Sequence, residues 1–259
     1  MAGARTFRTC AIVLDKTKLK EIDLILTLLA QDGREVRAVA KGARKPGSRL
    51  AARCELFCTV DLLLAKGRSL DVVSQAELIE APLGAAPTYE VMQRASVIAE
   101  VASLCCFEDA EDPFVFSISA KAFRVLGELQ DDCPHMDLIV AAYVFKLLSH
   151  VGYRPDYSAC VACGDPALSF FSAFAGGLLC SSCASRVAGA EPVDAGAVNW
   201  LRALLPLTFD QLAAQPVDTC TSNLMLALAH SWAATHLDAR LRAMEFLLGR
   251  LISDLSRTH

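Results

Sequence analysis

No apolar run in the 259 residues reaches the ~20 that a membrane-crossing helix requires. Even the apolar stretch from Leu201 to Ala214 is interrupted by polar residues. Met1 to Phe7 lack the continuous apolar region and small-residue cleavage site of a secretory signal, so a cytoplasmic protein without membrane contact is expected. Also missing is the G-x-x-x-x-G-K-[S/T] loop of nucleotide-binding enzymes. The five histidines, His135, His150, His230, His236 and His259, show no H-x-x-x-H spacing; His230 and His236 stand six apart, too far for ligands on one helical turn. Asp131-Asp132 reads as a turn. Without converging acids, a paired histidine or an open metal position, a hydrolase or nuclease is not expected, nor any other enzyme.

Hydrophobic residues, by contrast, make up 54% of the chain, enough for a sizeable core and about two domains. The formal net charge of -4 is unevenly divided. Residues 1–80 hold 14 Lys and Arg against 10 Asp and Glu, leaving 11 against 19 in residues 81–259. An acidic chain therefore carries a basic first part, where a nucleic-acid surface would lie.

That first part reads as β-structure. Phe7 to Leu14, Val36 to Ala40, Phe57 to Leu64 and Leu70 to Ile79 are short apolar or alternating runs, and Asp32-Gly33 and Lys66-Gly67-Arg68 are turn signals. Asp23 to Ala30 fits either a helix or one strand of a hairpin. Five strands in so short a span suit a small barrel, whose closure removes exposed edges. Pro82, Gly84 and Pro87 mark a boundary, giving domains at 1–80 and 81–259. Beyond it, Ala- and Leu-rich segments predict helices from Thr88 to Ala102, from Asp112-Pro113 onward, from Asp137 to His150, from Ala195 to Leu205, from Thr208 to Ala214, from Ser222 to His236 and from Leu237 to Leu255.

Eleven cysteines, an odd number without an export signal, favour free thiols and metal ligation over disulfides. Seven of them lie mostly beside apolar residues, as core cysteines do. The other four form Cys160-Val161-Ala162-Cys163-Gly164 and Cys180-Ser181-Ser182-Cys183. Each C-x-x-C brings two thiolates to one side of a tight turn, and two turns complete the tetrahedron that zinc prefers. Four sulfurs leave no water position, so one structural Zn2+ is expected, in an insertion at about 158–187 of the helical domain. Spacing alone would also allow iron. Leu168 to Phe174 should form a short strand whose aromatics cover the site, with Gly176-Gly177 as the return.

A second constellation is basic. Lys41, Arg44, Lys45, Arg49 and Arg53 fall in thirteen residues with no acid, and the Gly and Pro residues among them predict a flexible loop at a barrel rim. Such a loop collects phosphates with little sequence preference. Arg34, Arg37, Lys66 and Arg68 would extend the track. Phe7, Phe57 and Phe114 could stack on bases, although a Phe in an apolar run is more often core.

These features together resemble the bacterial recombination mediator family RecO. The likeness rests on Ala11-Ile12-Val13-Leu14, Asp23 to Leu29, Val39-Ala40-Lys41-Gly42-Ala43-Arg44-Lys45 with Ser48-Arg49, and the two C-x-x-C pairs, in order along nearly the whole chain. Gly47 stands where that family often has a Lys or Arg. The resemblance implies an α+β protein: an N-terminal five-stranded oligonucleotide-binding β-barrel, with Asp23 to Leu29 as its second strand, followed by an α-helical domain with a zinc site. It implies binding and annealing of single- and double-stranded DNA, association with the nucleoid during repair, partnership with RecR, and loading of the RecA recombinase where single-strand-binding protein covers gaps. The acidic tail of that protein would meet the helical domain, with Arg240, Arg242 and Arg250 as candidates by charge. The alternative is a zinc-stabilised adaptor that binds proteins and not DNA.

Overall fold

The computed structural model describes the backbone of residues 6–255 and the side chains of residues 6–250. His259 lies outside them.

Five strands close a barrel in the order β1-β2-β3-β5-β4: β1 (Thr6–Leu19), β2 (Asp23–Ala30), β3 (Glu35–Ala40), β4 (Thr59–Ala65) and β5 (Asp71–Glu80). All pairings are antiparallel except β3 with β5, which run parallel at Ala38↔Asp71 and Val39↔Val72. The ambiguous segment is a strand because both its edges pair, with β1 and with β3, while Leu26 and Leu28 point into the core beside Val13, Ala38, Val60 and Leu62. The first strand runs five residues past the expected end at Leu14, because a register shift between Val13 and Asp15 lets the polar stretch to Leu19 continue the ladder with β2. A short helix, α1 (Arg49–Arg53), lies between β3 and β4 and was not anticipated. Ser48 caps it, accepting from the Ala51 amide at 3.4 Å.

The helices that follow are α2 (Tyr89–Cys105), α3 (Pro113–Leu129), α4 (Cys133–His150), α5 (Ser181–Ala184), α6 (Ala195–Leu204), α7 (Phe209–Ala213), α8 (Thr219–His236) and α9 (Arg242–Leu255). A small sheet in the order β7-β6-β8 carries β6 (Phe170–Ser172), β7 (Gly177–Leu179) and β8 (Glu191–Pro192). Helix α4 begins four residues before the expected Asp137, since Asp132 is its cap and Pro134 fits the first turn. Asp137 is buried instead and pairs bidentately with Arg94 at 2.8 and 3.0 Å. Helix α9 begins at Arg242 rather than Leu237, because Leu237 ends α8 and Asp238 takes a left-handed backbone, φ +47°.

Packing divides the chain into two compact units, 1–88 with 98–128 and 89–97 with 129–259. The barrel therefore shares its unit with the second half of α2 and most of α3. Phe57 is 2% exposed and stacks on Phe123 of α3 at 5.3 Å, which makes it core and removes it from the base-stacking candidates. In the other unit, α4 is buried along nearly its whole length and packs chiefly on α8. No helix among the described residues is long and apolar enough to cross a membrane.

Candidate metal centre and nucleic-acid interface

The two cysteine turns converge. The ligand atoms of Cys160, Cys163, Cys180 and Cys183 all lie within 4.8 Å of one another. The Cys163 and Cys180 sulfurs are 3.7 Å apart, close to the ~3.8 Å edge of a tetrahedron with Zn–S bonds of about 2.3 Å. The first turn closes through Gly164 N–H donating to the Cys160 carbonyl at 2.8 Å, and Gly164 has a left-handed φ of +77° that suits a residue without Cβ. The second forms at the start of α5, where Cys180 precedes the helix and Cys183 lies within it.

The thiols oppose one another's ionisation. Neighbouring Cys163 and Cys180 push Cys183 up to about 12, whereas the Cys180 amide, helped by those of Ala162 and Cys163, holds Cys160 down to about 6. A cation at the centre removes that conflict. The donor set is therefore able to hold a metal ion with its coordination closed by protein. Phe170 packs on this cluster as expected, but Phe171 turns the other way, into an aromatic group with Phe145 and Trp232, and Phe174 is 86% exposed at the hairpin tip. Successive residues of a strand face opposite sides, so β6 could not give all its aromatics to the metal site.

The basic candidates separate into two groups, one just beyond the C-terminal end of β3 and one about its first half. Lys41, Arg44, Lys45 and Arg49 form the first, on the segment that links β3 to α1. This segment is a succession of tight turns, with Ala43 N–H on Ala40 O, Lys45 N–H on Gly42 O and Ser48 N–H on Lys45 O. It is tied to β2 by Gly42 N–H donating to the Asp23 carboxylate at 2.7 Å, and to the β1–β2 turn by the Arg44 guanidinium donating to Glu21 O at 2.8 Å. Among the described residues Lys41, Lys45 and Arg49 are exposed and make no ion pair. Arg53 points away, donating to Ala76 O of β5 at 3.0 Å, and so fixes α1 on the barrel.

The tie at Arg44 brings in two cations that the sequence reading passed over. Lys18 and Lys20 are exposed at the end of β1 and in the turn beyond it, and Arg44 bonds to the Lys20 and Glu21 carbonyls. Lys16, on the same strand, is paired with Glu55 at 2.6 Å. The signal was the alternation Lys16-Thr17-Lys18-Leu19-Lys20, hidden by ending the strand at Leu14.

Arg34, Arg37, Lys66 and Arg68 form the second group, around a cleft of about 310 Å³ between β3 and the β4–β5 turn. It is not a basic surface. Arg34 pairs with Asp32 at 2.6 Å, Lys66 with Asp71 at 3.3 Å, and Glu35, Glu108 and Asp109 also line the cleft. Phe7 lies there with Lys66 over its ring at 4.8 Å, while Phe114 is 39% exposed on α3. Of the arginines considered for an acidic tail, Arg240 is paired with Glu245 at 2.9 Å, and Arg250 lies over Tyr89 and donates to Gln93 at 3.0 Å.

Residues 1–82 match the family model for the N terminus of recombination protein O, and residues 88–245 match that for its C terminus. A DNA repair protein RecO of Bifidobacterium adolescentis is 38% identical over 244 residues, covering 91% of this chain and 96% of its own. The protein of the same name from Cutibacterium acnes is 35% identical over 248 residues, covering 93% and 98%. One from Desulforudis audaxviator is 29% identical over 245 residues, covering 94% and 96%.

Proposed function

The chain belongs to the recombination protein O family, and on that footing we propose that it is a non-catalytic mediator of DNA repair and recombination whose barrel binds DNA through the Lys41–Arg49 rim. The observation that carries this reading is the set of exposed cations there, Lys18, Lys20, Lys41, Lys45 and Arg49, on two segments that Arg44 ties together through the Lys20, Glu21 and Ile22 carbonyls. Arg44 is bonded to carbonyls and not to carboxylates, so its charge remains to be met by phosphate. Annealing requires that two like-charged strands approach while their bases stay free to pair. A rim that neutralises backbone and offers no stacking ring does both.

The four-cysteine centre holds one zinc ion that keeps the 158–187 segment in shape and takes no part in a chemical step. The acidic balance of residues 81–259 disfavours phosphate there. The proposed partners of that part are RecR and, at a local basic site that includes the exposed Arg242, the acidic tail of single-strand-binding protein. With them the chain would help to load a recombinase at covered gaps. The test is binding of a single-stranded oligonucleotide, followed by the rate at which two complementary strands anneal. Binding at low salt with faster annealing supports the reading. No binding at low salt, and no nucleic acid co-purifying, would leave the adaptor that contacts proteins alone.

A further inference from the structure

The cleft toward the start of β3 receives Glu108 and Asp109 from outside the barrel, beside Glu35 and Asp71 of its own strands. The α2–α3 loop reads Phe107-Glu108-Asp109-Ala110-Glu111-Asp112, four carboxylates in five residues. Backbone contacts strap it to the β2–β3 turn: the Glu35 amide donates to Phe107 O at 3.1 Å, and a Cβ on Gly33 would lie 1.9 Å from Asp112 O. The strap places Glu108 and Asp109 in the cleft lining and Glu111 3.8 Å from the Arg34 guanidinium. Glu108, Asp109 and Glu111 are exposed, and Glu108 and Asp109 make no ion pair among the described residues. Since the backbone fastens the loop, Glu108 and Asp109 are not what holds it in place.

Their position has a consequence for any polyanion that approaches Arg37 and Arg68. A phosphate that reaches a free arginine releases a small counterion to solution, and that release drives binding. A carboxylate tethered in the lining of the same cleft cannot be released, and within a Debye length of about 10 Å at 0.1 M salt it also repels the phosphate. We propose that the 107–112 loop is a built-in competitor for nucleic-acid phosphate at the Arg34, Arg37, Lys66 and Arg68 cleft. The barrel's two cationic ends are thereby made unequal: the rim takes backbone directly, and the cleft, its arginines opposed by fixed carboxylates, takes a second stretch of strand only weakly. This rests on the reading of the barrel as a DNA-binding element.

The experiment is a salt titration of oligo-dT binding, by fluorescence anisotropy, for the full-length wild type and an E108Q/D109N/E111Q variant. Circular dichroism melts check that these exposed changes leave the fold intact. The variant should bind several-fold tighter at low salt, with a slope of log K against log salt steeper by about 1.4, two further contacts at ~0.7 each. Adding R37A and R68A should abolish that gain. Unchanged affinity and slope in the triple variant would overturn the proposal, and so would a gain that survives R37A and R68A, since it would then be a general effect of net charge. If the wild type itself fails to bind, the DNA reading falls and this proposal with it. Wild-type binding with an unaltered triple variant removes this proposal alone.

Discussion

The Arg44 guanidinium donates to the main-chain carbonyl of Glu21 at 2.8 Å, and the Arg44 amide receives no help from that side chain but bonds to Ile22 O at 2.9 Å. One residue thus sutures the loop after β3 to the β1–β2 turn twice, and does so through neutral acceptors that leave its charge unmet. Arg44→Ala should therefore cost more than one phosphate contact, because Lys18 and Lys20 lose their registry with Lys41 and Lys45. Anisotropy titrations should show a salt slope reduced by more than the ~0.7 of a single contact on single-stranded DNA.

Lys18→Ala with Lys20→Ala tests the cations found only in three dimensions. Both side chains are exposed, so stability should stay within about 0.5 kcal/mol of wild type. The salt slope should fall by about 1.4, for two contacts. An unchanged slope would confine the interface to the Lys41–Arg49 segment.

Removal of the metal should act on stability before function. Metal analysis should find one zinc per chain, and Cys183→Ser or a strong chelator should destabilise the unit that contains the cysteines. A loss of about 3 kcal/mol would lower Tm by ~6–12 °C in a chain of this size. Proteolysis should then cut between Cys160 and Cys183 first. A melt and a digestion pattern indifferent to chelation would contradict the structural role.

Asp218 caps α8, accepting from the Thr221 amide at 2.8 Å and from its hydroxyl at 2.9 Å. Those two bonds hold its carboxyl below the usual carboxylate range. A depressed folded pKa means that its stabilisation is present above the unfolded value of about 3.9 and is lost as pH falls through the folded one. Asp218→Ala should lower Tm at pH 7, and the difference from wild type should shrink as pH drops below ~3.9. Asp218→Asn, which keeps an uncharged acceptor, should lack this one group's contribution to the acid-side fall in Tm, while the other paired carboxylates, such as Asp61 and Glu80, still contribute theirs.

Local signals carried much of this architecture. Two C-x-x-C turns specify a closed centre almost without context, and the run from Lys41 to Arg53 declares its charge because no acid interrupts it. What local sequence could not carry was pairing at a distance. Asp23 to Ala30 is apolar enough for a helix and becomes a strand only because β1 and β3 occupy both its edges. Arg53 looks like Arg49 in sequence, yet one is bonded to β5 and the other is free in solvent. Arg34 and Lys66 read as surface cations until Asp32 and Asp71 are seen beside them, and the acids of 108–111 reach Arg34 from more than seventy residues away in sequence.

The central claim is that the rim formed by Lys41, Arg44, Lys45 and Arg49 meets the DNA backbone. The most direct measurement compares the salt dependence of single-stranded DNA binding for wild type and for the variant with all four changed to alanine. Much weaker binding is expected, with a slope shallower by at least about 3, from four contacts at ~0.7 each, and a melt that stays cooperative and falls only by the loss of the Arg44 side-chain bonds. Equal affinities and equal slopes would contradict it.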